Sequence, residues 1–124
     1  MKLTIVGSIK FVDKYKEVKK YLEEKGHQII LPIKDEIEEP LPPEVKLKAM
    51  EVFNKNLKES DGILVMNYEK NNEPNYMGVN SLMEIGMAFN RGKKIFIFNS
   101  IPEFCKDEVK AIGSVELNGN LDLI

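Results

Sequence analysis

The sequence predicts one α/β domain, an open parallel five-stranded sheet covered by helices on both faces, three layers in all. Three observations carry this expectation. Short apolar segments alternate with segments of helical period along the whole chain, most connections between them are short, and the apolar segments at 63–66 and 95–98 lack the in-and-out alternation of a half-solvated strand. A strand that is apolar at successive positions is covered on both faces, as in a parallel sheet built from right-handed crossovers.

Leu3, Thr4, Ile5 and Val6 form the first strand, closed by Gly7 and Ser8. A helix over 11–25 follows, with Val12, Tyr15, Val18 and Leu22 at helical spacing and Gly26 as its stop. Residues 27–31 make a second strand ended by Pro32, and the charged, proline-bearing stretch 34–43 reads as a surface loop. A second helix over 44–58 places Val45, Ala49, Val52, Phe53 and Leu57 on one face. The third strand, 61–67, is expected at the centre of the sheet, and a polar loop over 68–78 leads to a helix at 81–91 stopped by Gly92. A fourth strand at 94–98, a turn at 99–102, a short helix at 103–111 and an edge strand at 114–117 complete the chain.

This arrangement is flavodoxin/Rossmann-like, and such sheets bind ligands outside the carboxyl ends of their strands, where the strand order reverses. Gly7, Ser8, Ile9, Asn67, the start of the helix carrying Ser81 and Glu84, and Asn99 all belong to that edge. Asp61 and His27 precede their strands, fall at the opposite edge and read as structural.

At 124 residues, with 43% apolar and 31% charged side chains, the chain has the composition of one self-sufficient globular domain spanning 1–124. A net charge of −2 with interleaved signs provides no basic face for a nucleic acid polymer, though a small nucleotide is compatible with it. One cysteine, Cys105, and one histidine exclude an internal disulfide and make a zinc site improbable; no metal and no cofactor are expected. The opening run from Met1 to Gly7 is too short for a signal peptide or a membrane span, so a cytoplasmic protein without membrane attachment is expected.

Glu84 is the focus among groups able to do chemistry, because a carboxylate at the ligand edge amid Leu82, Met83 and Ile85 can be partly desolvated and still reach a ligand, with Gly86 allowing close backbone approach. The competing reading is a capping box, in which Ser81 bonds the Glu84 amide and the carboxylate reaches back to Ser81. Gly7, Ser8 and Ile9 either present amides and a hydroxyl to a phosphate or sugar, or simply turn the chain; they match neither a dinucleotide fingerprint nor a P-loop. Tyr68 and Tyr76 flank the polar loop, where an aromatic ring can cover a base, whereas Tyr15, Tyr21 and Phe53 read as packing.

Gly7 to Ile9, the segment Ser60, Asp61, Gly62, Ile63, Leu64, Val65, and above all Ser81, Leu82, Met83, Glu84, Ile85, Gly86, Met87, Ala88 followed by Gly92, Lys93, Lys94, Ile95, resemble the nucleoside 2-deoxyribosyltransferase-like family, including its 2'-deoxynucleoside 5'-monophosphate N-glycosidase branch. The resemblance runs from Met1 to about Pro102. It implies that Glu84 is a nucleophile attacking the anomeric carbon of a deoxyribose, forming a glycosyl-enzyme ester that water hydrolyses or a second base intercepts. A carboxylate in the first turn of a helix is expected to stay ionised in the dipole field.

In the leading hypothesis Gly7, Ser8, Asn80 and Ser81 position the sugar or phosphate, Tyr76 covers the base, and Ile9, Asn67, Gly78 and Asn99 are further substrate-binding residues of the same edge. The resemblance also implies a homo-oligomer, to whose neighbouring site the C-terminal segment with Leu121, Leu123 and Ile124 could contribute unless it caps its own core. The sequence departs from the family pattern at Gly78, six residues before Glu84, where transferases carry an acid and the monophosphate hydrolases a serine. It also has Phe53, Asn54, Lys55 and Asn56 where an aspartate is common. Protonation of the leaving base then falls to water, Tyr76 or another group. The alternative function is a nucleotide-binding module in which Glu84 only caps its helix. A phosphoacceptor signalling domain would need acids at positions held here by Gly7, Ser8 and Asn67.

Overall fold

The computed structural model describes residues 1–32 and 41–124. Its sheet consists of β1 (Lys2–Val6), β2 (Gln28–Ile30), β3 (Gly62–Val65), β4 (Lys94–Ile97) and β5 (Val115–Glu116) in the order β2-β1-β3-β4-β5, every pair parallel. The third strand is central, as its unbroken apolar run requires. Helix α1 (Val12–Glu24) and the C-terminal segment cover one face, and α2 (Pro43–Glu59), α3 (Val79–Asn90) and α4 (Lys106–Ala111) cover the other. Of the stretch 34–43 expected as a surface loop, 34–40 lie outside the described residues.

Strand periodicity divides the core in two. Leu3, Ile5, Leu64, Met66 and Phe96 point to α1, where they meet Tyr15, Val18 and Leu22. Val6, Ile63, Val65, Ile95 and Ile97 point the other way, to Phe53 and Leu57 of α2, Ile85 and Ala88 of α3 and Val109 of α4. Leu121 and Ile124 fold back onto the α1 side of this core, so they cap their own domain. Ala49 does not join the inward face of α2: it is exposed, and the buried residues of that helix are Phe53 and Leu57 in its second half.

The element bounds differ from the expected ones chiefly where short 3-10 turns intervene. The first helix is preceded by a 3-10 turn at Ile9–Phe11, and the last begins with one at Glu103–Cys105. At the lower edge of the sheet Asp61 Oδ2 accepts the Lys2 amide at 2.7 Å, and His27 Nδ1 lies 3.2 Å from the amino terminus, which gives both the structural roles read from their positions.

Gly62 is required by close strand approach. A Cβ there would lie 2.5 Å from the Lys94 carbonyl oxygen and 2.9 Å from the Lys94 Cβ. Backbone of a central strand cannot yield without breaking the β3–β4 ladder, so Gly62→Ala is expected to destabilise the fold by about 3 kcal/mol. Urea denaturation monitored by circular dichroism checks this; an unchanged midpoint would show that the two strands separate freely.

Candidate active site

Strand order reverses between β1 and β3, and the segments leaving the carboxyl ends of these strands form the crevice of interest. From β1 the chain passes through Gly7 and Ser8. A Cβ on Gly7 would lie 2.5 Å from the Tyr15 hydroxyl and 3.1 Å from the Met66 carbonyl oxygen, so only glycine lets the turn pass between α1 and the end of β3. The Tyr15 hydroxyl donates to the Ser8 carbonyl at 2.7 Å, and burial holds its phenol far above the ordinary range, keeping it a donor. Ser8 caps the 3-10 turn, its Oγ accepting the Lys10 amide at 3.4 Å, while Ile9 points outward and is exposed.

The loop leaving β3 is held rather than loose. Asn67, buried, donates through Nδ2 to the Ser100 carbonyl at 2.9 Å and accepts the Asn99 amide on Oδ1 at 2.8 Å, and Asn99 Nδ2 returns a bond to the Asn67 carbonyl at 3.0 Å. Asn75 adds a second bond to the Ser100 carbonyl at 2.8 Å. Asn67 and Asn99 therefore clamp the ends of β3 and β4 together, and both ends of the Asn67 amide are committed to that clamp. Tyr68 packs among Phe11, Tyr15 and Phe98 with ring centroids 5.3, 6.0 and 5.6 Å away. It is part of the wall and not a free platform.

Lys70 is the residue of this edge that sequence reasoning passed over. Its Nζ lies 3.2 Å from Ser8 Oγ and 5.1 Å from the centre of the Tyr76 ring. The adjacent pair Asn71 and Asn72, which tolerates positive φ and so marks a tight reversal, was the available signal.

Helix α3 begins one turn earlier than its S-x-x-E pattern suggests. Gly78, with φ −84° and ψ 173°, is the N-cap and provides no side-chain cap. Ser81 is then the third helical residue, buried on the inward stripe with Ile85 and Ala88. Glu84 lies in the second turn, three residues after Ser81 and four before Ala88, so it borders that inward stripe and is partly buried. It caps nothing, which removes the capping box, and it lies beyond the reach of the first-turn dipole effect. Among the described residues no ion pair includes it. Burial pushes its carboxyl up to about 7, the reverse of the ionised state expected from a first-turn position. Gly86 is exposed and a Cβ there would meet nothing within 4 Å, so close approach does not explain it.

Asn80 is exposed at the start of α3. Tyr76 is half-buried, and a Cβ on Gly78 would lie 3.4 Å from its hydroxyl, so the phenol reaches toward the space a side chain at 78 would use. Asn54 is held elsewhere: its Oδ1 accepts Arg91 Nε at 3.1 Å, beyond the C-terminal end of α3, in an open cleft lined also by Met50, Glu51, Met87 and Asn90. That cleft is at the end of α3 remote from the crevice. Cys105 is buried, and burial followed by the charge of Glu108 raises its thiol, which keeps it a core residue. Among the described residues no group of three or more metal-ligating side chains gathers, and no helix is long and apolar enough to cross a membrane.

A crevice at the β1–β3 switch of a sheet ordered 2-1-3-4-5 defines the flavodoxin-like class of open α/β proteins. Within it, the structure is similar to a 2-deoxyribosyltransferase from the psychrotolerant bacterium Bacillus psychrosaccharolyticus, with a TM-score of 0.61 and 17% identity over 88% of this chain and 82% of that one. It is similar also to the Clostridium botulinum CMP N-glycosidase BcmB, with a TM-score of 0.62 and 17% identity over 100% of both chains. The likeness to nucleoside 2-deoxyribosyltransferase-like proteins read from the sequence is thus met in the fold. No protein-family model matches the sequence, and no curated protein matches it in sequence.

Proposed function

We propose that this protein is an enzyme that cleaves or exchanges the N-glycosidic bond of a nucleoside or nucleotide, with Glu84 as the nucleophile. The observation that carries the reading is a partly buried carboxyl without a partner among the described residues, bordering the inward stripe of the helix that opens at the ligand edge, its pKa raised to about 7. A partly buried carboxyl poised near neutrality is a candidate for covalent chemistry. The shared fold of a 2-deoxyribosyltransferase and a CMP N-glycosidase supports the substrate class.

In this reading the ionised Glu84 oxygen bonds to the anomeric carbon as the carbon–nitrogen bond breaks, and the base leaves with a proton. Water then cleaves the ester, or a second base takes the sugar. The Tyr76 hydroxyl reaches toward the space beside Gly78, and in this reading Tyr76, water or another group meets the leaving base. In this reading Gly7, Ser8, Asn80 and Ser81 position the sugar or phosphate, and the Asn67–Asn99 clamp holds the loop that carries Tyr76. A cytoplasmic homo-oligomer belongs to the same reading.

The experiment is base release from a panel of deoxynucleosides and their monophosphates, followed by chromatography, for wild type beside Glu84→Gln. Release that the variant loses while still binding substrate is expected. Binding without release by wild type would leave a nucleotide-binding module, a reading favoured only by the lack of a side chain at Gly78.

A further inference from the structure

The C-terminal segment takes no part in the proposed chemistry, yet it is fastened at both of its ends. Leu117 is fully buried and its amide donates to the Ile97 carbonyl at 2.8 Å. The chain then reverses through Asn118 and Gly119, at φ 50° and 79°, and the Asn120 amide closes the reversal on the Leu117 carbonyl at 3.0 Å. Two central residues at positive φ make a type I′ turn, for which Asn-Gly is a preferred pair. Beyond the turn Leu121 and Ile124 pack on the α1 side of the core, and Asp122 accepts from the Tyr21 hydroxyl and the Lys25 ammonium at the C-terminal end of α1. The segment is therefore a strap, pinned at its turn and at its tip.

The pair that suits this turn is also chemically reactive. No other asparagine in the chain precedes glycine. Without a Cβ, glycine does not hinder its own backbone nitrogen from reaching the preceding carboxamide. Asn118 and Gly119 are both exposed, and a Cβ on Gly119 would meet nothing within 4 Å, so the surroundings leave room for ring closure. In that reaction the Gly119 nitrogen gives its proton to solvent base and bonds to Asn118 Cγ. The Cγ–Nδ2 bond breaks, ammonia leaves, and water opens the resulting cyclic imide at one carbonyl or the other, giving aspartate or isoaspartate. Only water enters and only ammonia departs.

In the docked strap the attacking nitrogen is engaged, because its proton is held in a 2.7 Å bond to the Phe98 carbonyl. Cyclisation has to wait until that bond opens, and the bond is part of what pins the strap.

We propose that Asn118 is a self-modifying site gated by the C-terminal strap: it deamidates when the strap lifts, and the isoaspartyl product, with one more atom in its backbone, no longer closes the turn. The reaction runs one way, so the modified fraction records how much time the strap has spent lifted. The product also places a new carboxylate near Asp122 and the terminal carboxylate in sequence, which further disfavours redocking. This inference stands apart from the glycosidic reading and does not depend on it.

The test is incubation of the full chain at mildly alkaline pH, followed by intact mass and by mapping of isoaspartate in proteolytic peptides. Wild type is compared folded and unfolded in guanidinium, beside Leu121→Ala and Asp122→Asn. Because the reactive form is the locally opened one, modification at Asn118 is expected to run at least about tenfold slower in the folded protein than in the unfolded chain. Leu121→Ala removes an apolar anchor and is expected to raise the folded-state rate about 5- to 20-fold. Asp122→Asn weakens only the exposed tip and is expected to raise it about two- to fivefold.

Equal rates in the folded and unfolded chain, or rates in both variants unchanged from wild type, would overturn the gate. Modification of another asparagine ahead of Asn118 would overturn the site. Hydrogen exchange of the Gly119 and Asn120 amides in the purified isoaspartyl protein is expected to be faster than in wild type, and unchanged protection would overturn the release of the strap.

Discussion

Glu84→Gln is expected to lose base release by on the order of 1,000-fold or more and to be more stable than wild type at pH 8. The first effect follows from removing the atom that bonds to the anomeric carbon. The second follows from the raised carboxyl. Burial lifts Glu84 from its ordinary 4.5 to about 7, so between these values the folded chain holds a proton that the unfolded chain has already released. Stability falls with pH wherever the native state binds more protons, so this carboxyl costs the fold little at pH 4, progressively more up to pH 7, and its full penalty above that.

A shift of this size corresponds to at most about 3 kcal/mol, with some of it screened because the group is not fully buried. Glutamine has no charge to desolvate. Thermal denaturation of both proteins at pH 5 and pH 8 checks the point: the variant should gain several degrees at pH 8 and much less at pH 5. Identical differences at the two pH values would mean that the carboxylate is already well solvated. The same titration predicts that base release, as kcat/KM, climbs with pH and levels off above about pH 7, where the nucleophile is ionised.

The other large effect is expected at Gly7. Gly7→Ala puts a methyl group 2.5 Å from the Tyr15 hydroxyl and 3.1 Å from the Met66 carbonyl, at φ +155°. The hydroxyl cannot easily move, since Tyr15 is fully buried and bonded to the Ser8 carbonyl. A loss of about 3 kcal/mol is expected, with substrate binding weakened as well because Ser8 is displaced with the turn. Tyr15→Phe removes the closest clashing atom, so the double variant should be more stable than the sum of the single losses predicts, though not wild-type-like while Met66 remains. Urea denaturation of all four proteins measures this coupling; strict additivity would show that the turn relaxes away from α1 and that its tightness has another cause.

Local residue pattern is enough to fix the elements and their layering. Ile63, Leu64 and Val65 without a polar break require cover on both faces, and Val12, Tyr15, Val18 and Leu22 at helical spacing require a sheet to pack on; both patterns arise from the fixed geometry of strand and helix, which acts over a few residues. Glu84 was legible for the same reason, as an acid in an apolar helical segment that begins at the ligand edge.

Its exact setting was not. The S-x-x-E pattern is local and points to a cap at Ser81, but Met77 is buried in the core with its sulfur 3.9 Å from the Cys105 sulfur, and the chain enters the helix directly after Gly78. That turns Ser81 inward and moves Glu84 into the second turn, where burial and not the dipole governs its proton. Tertiary structure alone decided the fate of Asn67, whose polarity reads equally well as ligand contact or clamp until Asn99 and Ser100 are brought beside it. Lys70 looked like one charge in a polar loop because nothing near it in sequence marks Ser8 as its neighbour. Sheet order and strand register place β1 next to β3, and contacts between groups 62 positions apart exist only once that pairing is made.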